Sequence, residues 1–396
     1  MQISVRQGDS FWYYSQLYQL PLQLINDSNR QINPNNLSVG QSVQIPGFTQ
    51  SNYEISSGET IWSIARQRNL SAEAIMLVNQ GLDPNQLQVG QIIRVPVRVN
   101  WRVVNGNEEY NYEKLIEDLR ELASIYPFII TQVIGNSVMG KEIHELRIGN
   151  GAKKVHVNGS FHGNEWITTP VLTRFLNDYL LGLTNNGSIS NVNLNPLYQN
   201  TMLSMVPMVN PDGVNLVIQG PPPEEPYQSN VVEMNNGSLD FSNWKANIRG
   251  VDLNNQYPAK WEIEKERKPD SPGPRDFPGP YPLSEPEAQA MADLTRIRDF
   301  RRVNAFHTQG QVIYWGFENQ EPPEARTIVN EYANVSGYQP IRTVDSFAGY
   351  KDWFIQEWNR PGYTIELGSG TNPLPLSQFN QIYRSARSIL LANLYM

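Results

Sequence analysis

The sequence predicts an α/β protein with a mixed sheet, preceded by two small modules of strand–helix–helix–strand order. Two observations lead to this prediction. From about residue 105 onward, short apolar runs alternate with helical segments, and residues 1–100 contain an ungapped duplication at an offset of 50. Strands that alternate with helices are typical of an α/β domain, and an ungapped internal repeat is typical of duplicated modules.

Each copy of the repeat carries the same local signals. Residues 5–12 match residues 55–62, and residues 37–46 match residues 87–96. Ser10 and Thr60 are predicted helix N-caps, because a hydroxyl there can accept a hydrogen bond from the free amides of the first turn. Two short helices and a closing strand that ends at proline follow in each copy.

This repeated pattern resembles the LysM module. The resemblance implies that both copies bind N-acetylglucosamine-containing glycans, either peptidoglycan or chitin. The alternative is a pair of small structural repeats. We assign the two modules to residues 1–47 and 52–97, and the domain that follows to residues 100–396.

The elements of the third domain follow from its apolar patterns. A helical face is predicted at residues 112–126, and Ser284 with Glu287 predicts a capping box before a helix over residues 288–300. Two proline-containing stretches, 219–227 and 268–286, are predicted as irregular loops that either wall a cleft or only connect elements. The predicted strands lie at residues 129–134, 145–148, 154–158, 202–209, 303–306 and 364–367.

Composition limits the classes of function. The chain has no cysteine, which excludes disulfides, thiolate zinc sites and a cysteine nucleophile. Its net charge of -8 speaks against a nucleic-acid partner, and no apolar run is long enough to predict a membrane span. The first residues lack the pattern of a secretory signal, so we expect a cytoplasmic protein, with spore or cell-wall association after lysis.

Residues able to bind a metal end three of the predicted strands. His162 and Glu165 lie three residues apart just after one strand, and His307 and Glu366 lie at the ends of two others. Because sites gather at the carboxyl ends of strands in α/β sheets, these side chains are expected to converge. Two histidines and one carboxylate would leave the fourth position of a Zn²⁺ ion open, as in catalytic zinc sites.

The order of these fragments resembles the M14 zinc carboxypeptidase family over residues 105–396. Residues 210–213 (Asn-Pro-Asp-Gly) and 250–254 (Gly-Val-Asp-Leu-Asn) are similar to family motifs at this spacing. The resemblance implies one zinc ion as cofactor. Its ligands would be His162, Glu165 and His307.

The same resemblance implies the catalytic roles. Glu366 would accept a proton from water and later pass it to the leaving amine. A guanidinium would stabilise the oxyanion of the tetrahedral intermediate. We choose Arg249 for this role, because it directly precedes the motif that begins at Gly250.

The chain departs from the carboxypeptidase pattern around the substrate. Asn255 stands where the family has the arginine that grips a terminal carboxylate, and Asn164 stands where an arginine is often found. Asn254 is still expected to donate a hydrogen bond to substrate. Lys351 resembles the residue at the base of the specificity pocket and would favour a carboxylate-bearing residue, with a solvated surface lysine as the alternative. Tyr350 is the nearest counterpart of the family's catalytic tyrosine.

An M14-type domain behind two LysM modules resembles bacillar peptidases that cut the γ-D-glutamyl–diaminopimelate bond of peptidoglycan stem peptides. The expected partners are therefore these stem peptides and N-acetylglucosamine-containing glycan. Diaminopimelate carries a second carboxylate that Lys351 could pair. One alternative is a general metallocarboxypeptidase, which Asn255 disfavours. The other is an inactive glycan-binding wall or spore protein. The presence of all three predicted metal ligands and of the predicted base Glu366 disfavours this alternative.

Overall fold

A computed structural model describes residues 1–185 and 187–396. These residues divide into two units by their internal contacts. The first unit comprises Met1–Val103, Leu119–Ile130 and Asn177–Leu194, and the second comprises Val104–Asp118, Thr131–Leu176 and Asn195–Met396. Within the described ranges, no helix combines the length and the apolar character that crossing a lipid bilayer requires.

Both N-terminal modules have the predicted strand–helix–helix–strand order. The first contains β1 (Gln2–Ser4), α1 (Phe11–Tyr18), α2 (Leu22–Ser28) and β2 (Ser42–Gln44), and the second contains β3 (Phe48–Glu54), α3 (Ile61–Gln67), α4 (Ala72–Val78) and β4 (Ile92–Arg98). In each module the two strands pair antiparallel. The predicted N-caps are confirmed: the Ser10 hydroxyl accepts from the Tyr13 amide, and the Thr60 hydroxyl accepts from the Ser63 amide.

The duplication also explains the core of each module. Positions 50 residues apart carry apolar side chains that are buried in their own module, namely Phe11 and Ile61, Ile25 and Ile75, and Val43 and Ile93. Full burial of one such side chain contributes about 1.5–3 kcal/mol to folding. Equivalent positions of the repeat therefore form the hydrophobic core of each module.

The main sheet has eight strands, and its mixed character confirms the predicted fold class. The strands after β4 are β5 (Ile130–Asn136), β6 (Glu142–Ile148), β7 (Lys153–Gly159), β8 (Ser188–Ile189), β9 (Val192–Asn193), β10 (Thr201–Val206), β11 (Arg302–Thr308), β12 (Val312–Tyr314), β13 (Gln339–Ile341) and β14 (Gly362–Leu367). Their order in the sheet is β13-β12-β14-β11-β7-β10-β6-β5, while β8 and β9 form a separate hairpin. The four central strands β10, β7, β11 and β14 run parallel, and β6 and β12 pair antiparallel with them.

Helices alternate with these strands along the chain. They are α5 (Tyr112–Ile125), α6 (Thr168–Thr184), α7 (Leu194–Asn200), α8 (Pro211–Gln219), α9 (Tyr227–Met234), α10 (Trp261–Arg267), α11 (Pro286–Arg298), α12 (Glu324–Ser336), α13 (Tyr350–Trp358) and α14 (Phe379–Tyr395). Every residue of β11 is buried, as expected for a strand that is covered on both faces.

The predicted capping box before α11 is wrong. The helix begins at Pro286, and Glu285 rather than Ser284 is its N-cap, without a side-chain cap. Proline at the first helical position has its φ already set for the helix. The Ser284 hydroxyl instead donates to the Gln256 side-chain carbonyl at 3.1 Å.

The register of the parallel strands positions the site. Phe306 of β11 lies opposite Gly159 at the end of β7, and His307 lies opposite Glu366 of β14. Residues opposite each other on neighbouring strands direct their side chains to the same face of a sheet. The carboxyl ends of β7, β11 and β14 therefore meet at one edge, with His307 and Glu366 side by side.

Candidate metal centre

A tight turn directly after β7 places His162 and Glu165, the first two side chains that could bind a metal ion. His162 is the N-cap of a 3₁₀ turn over Gly163–Glu165. Gly163 allows this turn to lie against another backbone segment, because a Cβ there would be 2.5 Å from the Gly213 carbonyl oxygen. The turn can therefore adopt this conformation only because residue 163 is glycine.

His162, Glu165 and His307 form a compact buried cluster. His162 Nδ1 lies 2.7 Å from Glu165 Oε1, and His307 Nδ1 lies 2.9 Å from Glu165 Oε2. The three groups offer atoms that all lie within 4.8 Å of one another. The Thr308 amide also donates to Glu165 Oε2 at 3.2 Å, and the His307 ring stacks on Phe161 at a centroid distance of 5.9 Å.

The charges in this cluster shift one another's pKa. Burial alone would lower the pKa of His162, but the Glu165 and Asp252 carboxylates raise it to about 9. Burial alone would raise the pKa of Glu165, but the two imidazoles hold it well below its usual range. Glu165 is therefore ionised and bears the negative charge that a cation between these side chains would require.

Asp252 orients the His162 imidazole from behind. Its Oδ1 lies 3.1 Å from His162 Nε2, and Asp252 is itself buried. When a carboxylate accepts a hydrogen bond from the N–H of one ring nitrogen, the other ring nitrogen can bind a metal ion through its lone pair. The bond to Asp252 therefore directs Nδ1 toward Glu165.

The donor set fits zinc. Two imidazole nitrogens and one carboxylate oxygen are the ligands of many catalytic Zn²⁺ sites. His307 Nε2 is buried and, among the described residues, has no hydrogen-bond partner. The cluster thus has the chemistry of a three-ligand site with a further position open.

Glu366 lies beside the cluster and is suited to act as a base. It is half-buried on β14, and burial together with the nearby Glu165 charge raises its pKa to about 8. Nothing in the described parts of the chain forms a hydrogen bond with its carboxylate. The carboxylate is therefore free to take up a proton.

Lys245 is the cation that the structure brings to the cluster. Its ammonium lies 3.3 Å from Asp252 Oδ2 and 3.4 Å from Asp276 Oδ1. Burial alone would lower its pKa, but Asp252 and Glu165 raise it, and its charge in turn lowers the pKa of Glu366. The Lys245 carbonyl also accepts a 3.0 Å hydrogen bond from the Gly163 amide, so this residue supports the turn that carries His162 and Glu165 as well.

Arg249, the residue that the sequence predicts as the oxyanion cation, lies in a different environment. Its side chain is 52% exposed and lies 3.5 Å from Glu285. Ile248 before it is buried, whereas Arg249 itself is exposed. Lys245 contacts Asp252, the carboxylate that also contacts His162 of the cluster. Among the described residues, Arg249 makes no such contact and pairs with Glu285 instead.

The other predicted substrate residues are buried or occupied. Asn254 Oδ1 accepts from the Tyr350 amide at 3.1 Å. The Tyr350 hydroxyl is buried and lies 2.8 Å from Thr295 Oγ1. Lys351 is 4% exposed, so its alternative assignment as a solvated surface lysine is wrong. Its ammonium lies 2.5 Å from Asp352 Oδ1 and donates to the Gly316 carbonyl at 2.9 Å.

The two positions where the sequence lacks a family arginine are also buried. Asn164 is 4% exposed and Asn255 is 7% exposed. The side-chain oxygen of Asn164 has no hydrogen-bond partner in the described part of the chain. Neither position supplies a positive charge to the site.

Comparisons with known proteins agree with this geometry. The family model for zinc carboxypeptidases, Peptidase_M14, matches residues 115–388, and the LysM domain model matches residues 3–46 and 53–96. The gamma-D-glutamyl-L-diamino acid endopeptidase 1 of Lysinibacillus sphaericus is 62% identical over 396 residues, which is 100% of both chains. The uncharacterized protein YqgT of Bacillus subtilis is 43% identical over 72% of this chain and 77% of its own length. The fold is shared with bovine thrombin-activatable fibrinolysis inhibitor in its complex with tick carboxypeptidase inhibitor, at a TM-score of 0.58 and 17% identity over 73% of this chain and 97% of that one.

Proposed function

Since this chain belongs to the zinc carboxypeptidase (M14) family and carries two LysM domains, we propose that it hydrolyses the γ-D-glutamyl–diaminopimelate bond of peptidoglycan stem peptides. The observation that carries this proposal is the convergence of two histidines, two glutamates and a lysine at one sheet edge. The full-length relative named as a gamma-D-glutamyl-L-diamino acid endopeptidase supports the substrate.

One zinc ion is the proposed cofactor. His162, Glu165 and His307 would hold it. When bound, zinc supplies a Lewis acid that lowers the pKa of water toward about 7. Asp252 keeps the His162 ring in the orientation that binding needs.

Glu366 is the proposed general base and acid. Hydrolysis adds the oxygen of water to the carbonyl carbon and breaks the C–N bond. Glu366 accepts the proton that the water loses and then donates it to the leaving amine. Its position opposite His307 on the neighbouring strand and its lack of a competing hydrogen bond support this role.

Lys245 is the proposed stabiliser of the oxyanion. Negative charge develops on the carbonyl oxygen as water adds, and a fixed cation in a partly dry site stabilises that charge most effectively. The Lys245 side chain is 17% exposed and held by two carboxylates. Arg249 remains the alternative from the sequence, and its exposed position beside Glu285 makes it the weaker candidate.

The surroundings of the site support a substrate other than an ordinary C-terminus. Asn164 and Asn255 are neutral, so neither can grip a terminal carboxylate through a guanidinium. We retain Asn254 as a hydrogen-bond donor to substrate. Lys351 would pair the side-chain carboxylate of diaminopimelate, which requires that this carboxylate compete with Asp352 for the ammonium. The buried Tyr350 hydroxyl, bonded to Thr295, fits a packing role better than a catalytic one.

The LysM domains are proposed to hold the enzyme on N-acetylglucosamine-containing glycan. Each presents one exposed tryptophan at the same position of the repeat, Trp12 and Trp62, and such rings offer a face on which sugars can stack. Two linked sites raise the effective concentration of the enzyme at the wall. Because the substrate is wall material, we propose that the enzyme meets it after cell lysis.

The test uses L-Ala-γ-D-Glu-diaminopimelate and product analysis. We expect release of diaminopimelate, its loss after chelation, and its return with added zinc. An ordinary α-linked peptide should be cut far more slowly. Hydrolysis that survives chelation, or faster cleavage of the α-linked peptide, would contradict the proposal.

A further inference from the structure

The segment 244–252 carries two charged groups of the site, Lys245 near its start and Asp252 at its end. The Lys245 ammonium lies 3.3 Å from Asp252 Oδ2, and Asp252 Oδ1 lies 3.1 Å from Nε2 of the His162 ring. The described residues of this segment form neither a helix nor a strand, so regular backbone hydrogen bonds do not set its shape. Its buried backbone groups must be paired in another way.

Asn247 is buried at the centre of this segment and closes it into a turn. Its side-chain carbonyl accepts hydrogen bonds from two backbone amides further along the chain, those of Arg249 at 3.0 Å and Val251 at 3.1 Å. Its backbone amide donates to the Val251 carbonyl at 2.8 Å. Val251 is thus bonded to Asn247 through both its amide and its carbonyl, and it directly precedes Asp252.

Asn247 also holds the start of the segment. The indole N–H of Trp244 donates to the Asn247 backbone carbonyl at 3.2 Å, and the Trp244 ring is buried in a hydrophobic cluster. Trp244 directly precedes Lys245, as Val251 directly precedes Asp252. Asn247 is therefore bonded to the residue before each of the two charged groups.

Two buried glutamates bind the remaining end of the Asn247 side chain. Its Nδ2 donates to Glu285 Oε2 at 2.8 Å and to Glu287 Oε2 at 3.4 Å. Glu285 is the N-cap of α11, and Glu287 lies in the first turn of that helix. Both donors and both acceptor positions of the amide are thus used, and the segment is fixed to α11. An aspartate at this position would bring a third carboxylate to the two glutamates in place of a donor.

We propose that Asn247 is a positioning residue that holds the Lys245 ammonium and the Asp252 carboxylate in place at the metal centre. This role rests on the proposed hydrolytic function. Asn247 is buried and acts through the two charged groups, since its bonds tie together both ends of the turn that carries them. A shift of about 1 Å in a group that acts on the reacting atoms can lower a rate by about 10². A buried amide with all of its hydrogen bonds formed resists such a shift.

The test exchanges the donor and the acceptor of the bond between Asn247 and Glu285. Asn247→Asp keeps the size of the side chain and its acceptor for the Val251 amide, but places an oxygen against Glu285 Oε2 where the donor was. We expect kcat on L-Ala-γ-D-Glu-diaminopimelate to fall by about 10² or more. Adding Glu285→Gln returns a donor to this contact and should recover at least about tenfold. Glu285→Gln alone should keep a kcat near that of wild type, because its side-chain carbonyl can still accept from Asn247.

A second measurement does not depend on activity. The chain has four histidines, so the ring signals of His162 can be assigned by NMR. Because Asp252 Oδ1 contacts this ring, Asn247→Asp should shift the His162 signals of the full chain, and the double variant should return them toward their wild-type positions. If wild type did not cleave the peptide, the hydrolytic function would be wrong, and the His162 signals would still decide the positioning role.

Asn235 supplies the matched control. It lies in the same unit, and its Nδ2 donates to the Ser238 and Asp240 carbonyls, both at 2.9 Å. Asn235→Asp makes the same change of charge and should leave kcat and the His162 signals unchanged. A folded Asn247→Asp variant that matched wild type in both measurements would overturn the proposal. So would a folded double variant that stayed more than about 10² below wild type, and this limit decides alone if Asn247→Asp does not fold.

Discussion

Replacing Lys245 with methionine removes the ammonium that lies 3.3 Å from Asp252 Oδ2 but keeps the length of the side chain. The backbone bond from the Gly163 amide to the Lys245 carbonyl does not depend on the side chain and should persist. Loss of one donor to a developing oxyanion costs about 10²–10³ in kcat, or roughly 3–4 kcal/mol. Two unit charges 4 Å apart interact by about 4 kcal/mol at an effective dielectric constant of 20, which is an energy of the same size.

The assay measures kcat on L-Ala-γ-D-Glu-diaminopimelate together with zinc affinity. Because the charge of Lys245 repels a divalent cation, Lys245→Met should bind zinc at least as tightly as wild type while kcat falls. A merely structural role would weaken both. Lys245→Arg should restore part of the activity, since it returns the charge.

Arg249→Met is the matched control. It removes a cation four residues away in the sequence whose partner is Glu285, and kcat should change by less than about twofold, as for most surface ion pairs. If Lys245→Met kept more than half of the wild-type kcat, or Arg249→Met lost more than tenfold, the assignment of the oxyanion role would be wrong.

Four further predictions follow from the site and its surroundings. Glu366→Gln should lower kcat by about 10²–10⁴ with bound zinc retained, and a variant with normal kcat would remove Glu366 from the mechanism. Gly163→Ala should lose zinc, measured by metal analysis, because its Cβ would lie 2.5 Å from a backbone carbonyl oxygen; normal zinc content would show that the turn can move. Lys351→Ala should reduce the preference for diaminopimelate over lysine in paired stem peptides, and an unchanged ratio would refute the pairing. Burial and the nearby Asp212 raise the pKa of Glu287 from 4.5 to about 8, so wild-type stability should fall as pH rises from about 4.5 to 8. Glu287→Gln should abolish this loss, which amounts to roughly 4 kcal/mol at pH 8, and parallel pH profiles in chemical denaturation would contradict it.

Local signals predicted most of the regular elements. Six predicted strands of the main sheet are confirmed, with ends shifted by up to three residues. The missed strands, β12 and β13, have three residues each, too few to show a period. The N-caps at Ser10 and Thr60 followed from the sequence, whereas Ser284 did not become a cap, because a distant side chain, Gln256, binds its hydroxyl.

The cluster itself was predictable because its members lie at or just after the carboxyl ends of strands, His162 and Glu165 after β7 and His307 near the end of β11. His162, His307 and Glu366 come together through parallel pairing of β7, β11 and β14, and sites in α/β sheets gather at the carboxyl ends of such strands. The choice between Lys245 and Arg249 was not predictable. It depends on the contacts of the Lys245 ammonium with Asp252 and Asp276, which arise from the tertiary fold and which no local pattern encodes.

The sequence spacing of the proposed metal ligands also bears on how the protein unfolds. Glu165 and His307 are 142 residues apart in the chain, so an unfolded chain retains only the local His162–Glu165 pair near a metal ion. A ligand that binds the native state in preference to the unfolded state stabilises it in proportion to the logarithm of its free concentration. The turn at Gly163 further requires the Gly213 backbone beside it. Free zinc should therefore raise the free energy of unfolding of the second unit. Removal of zinc should increase the unfolded fraction of the protein as well as abolish its activity.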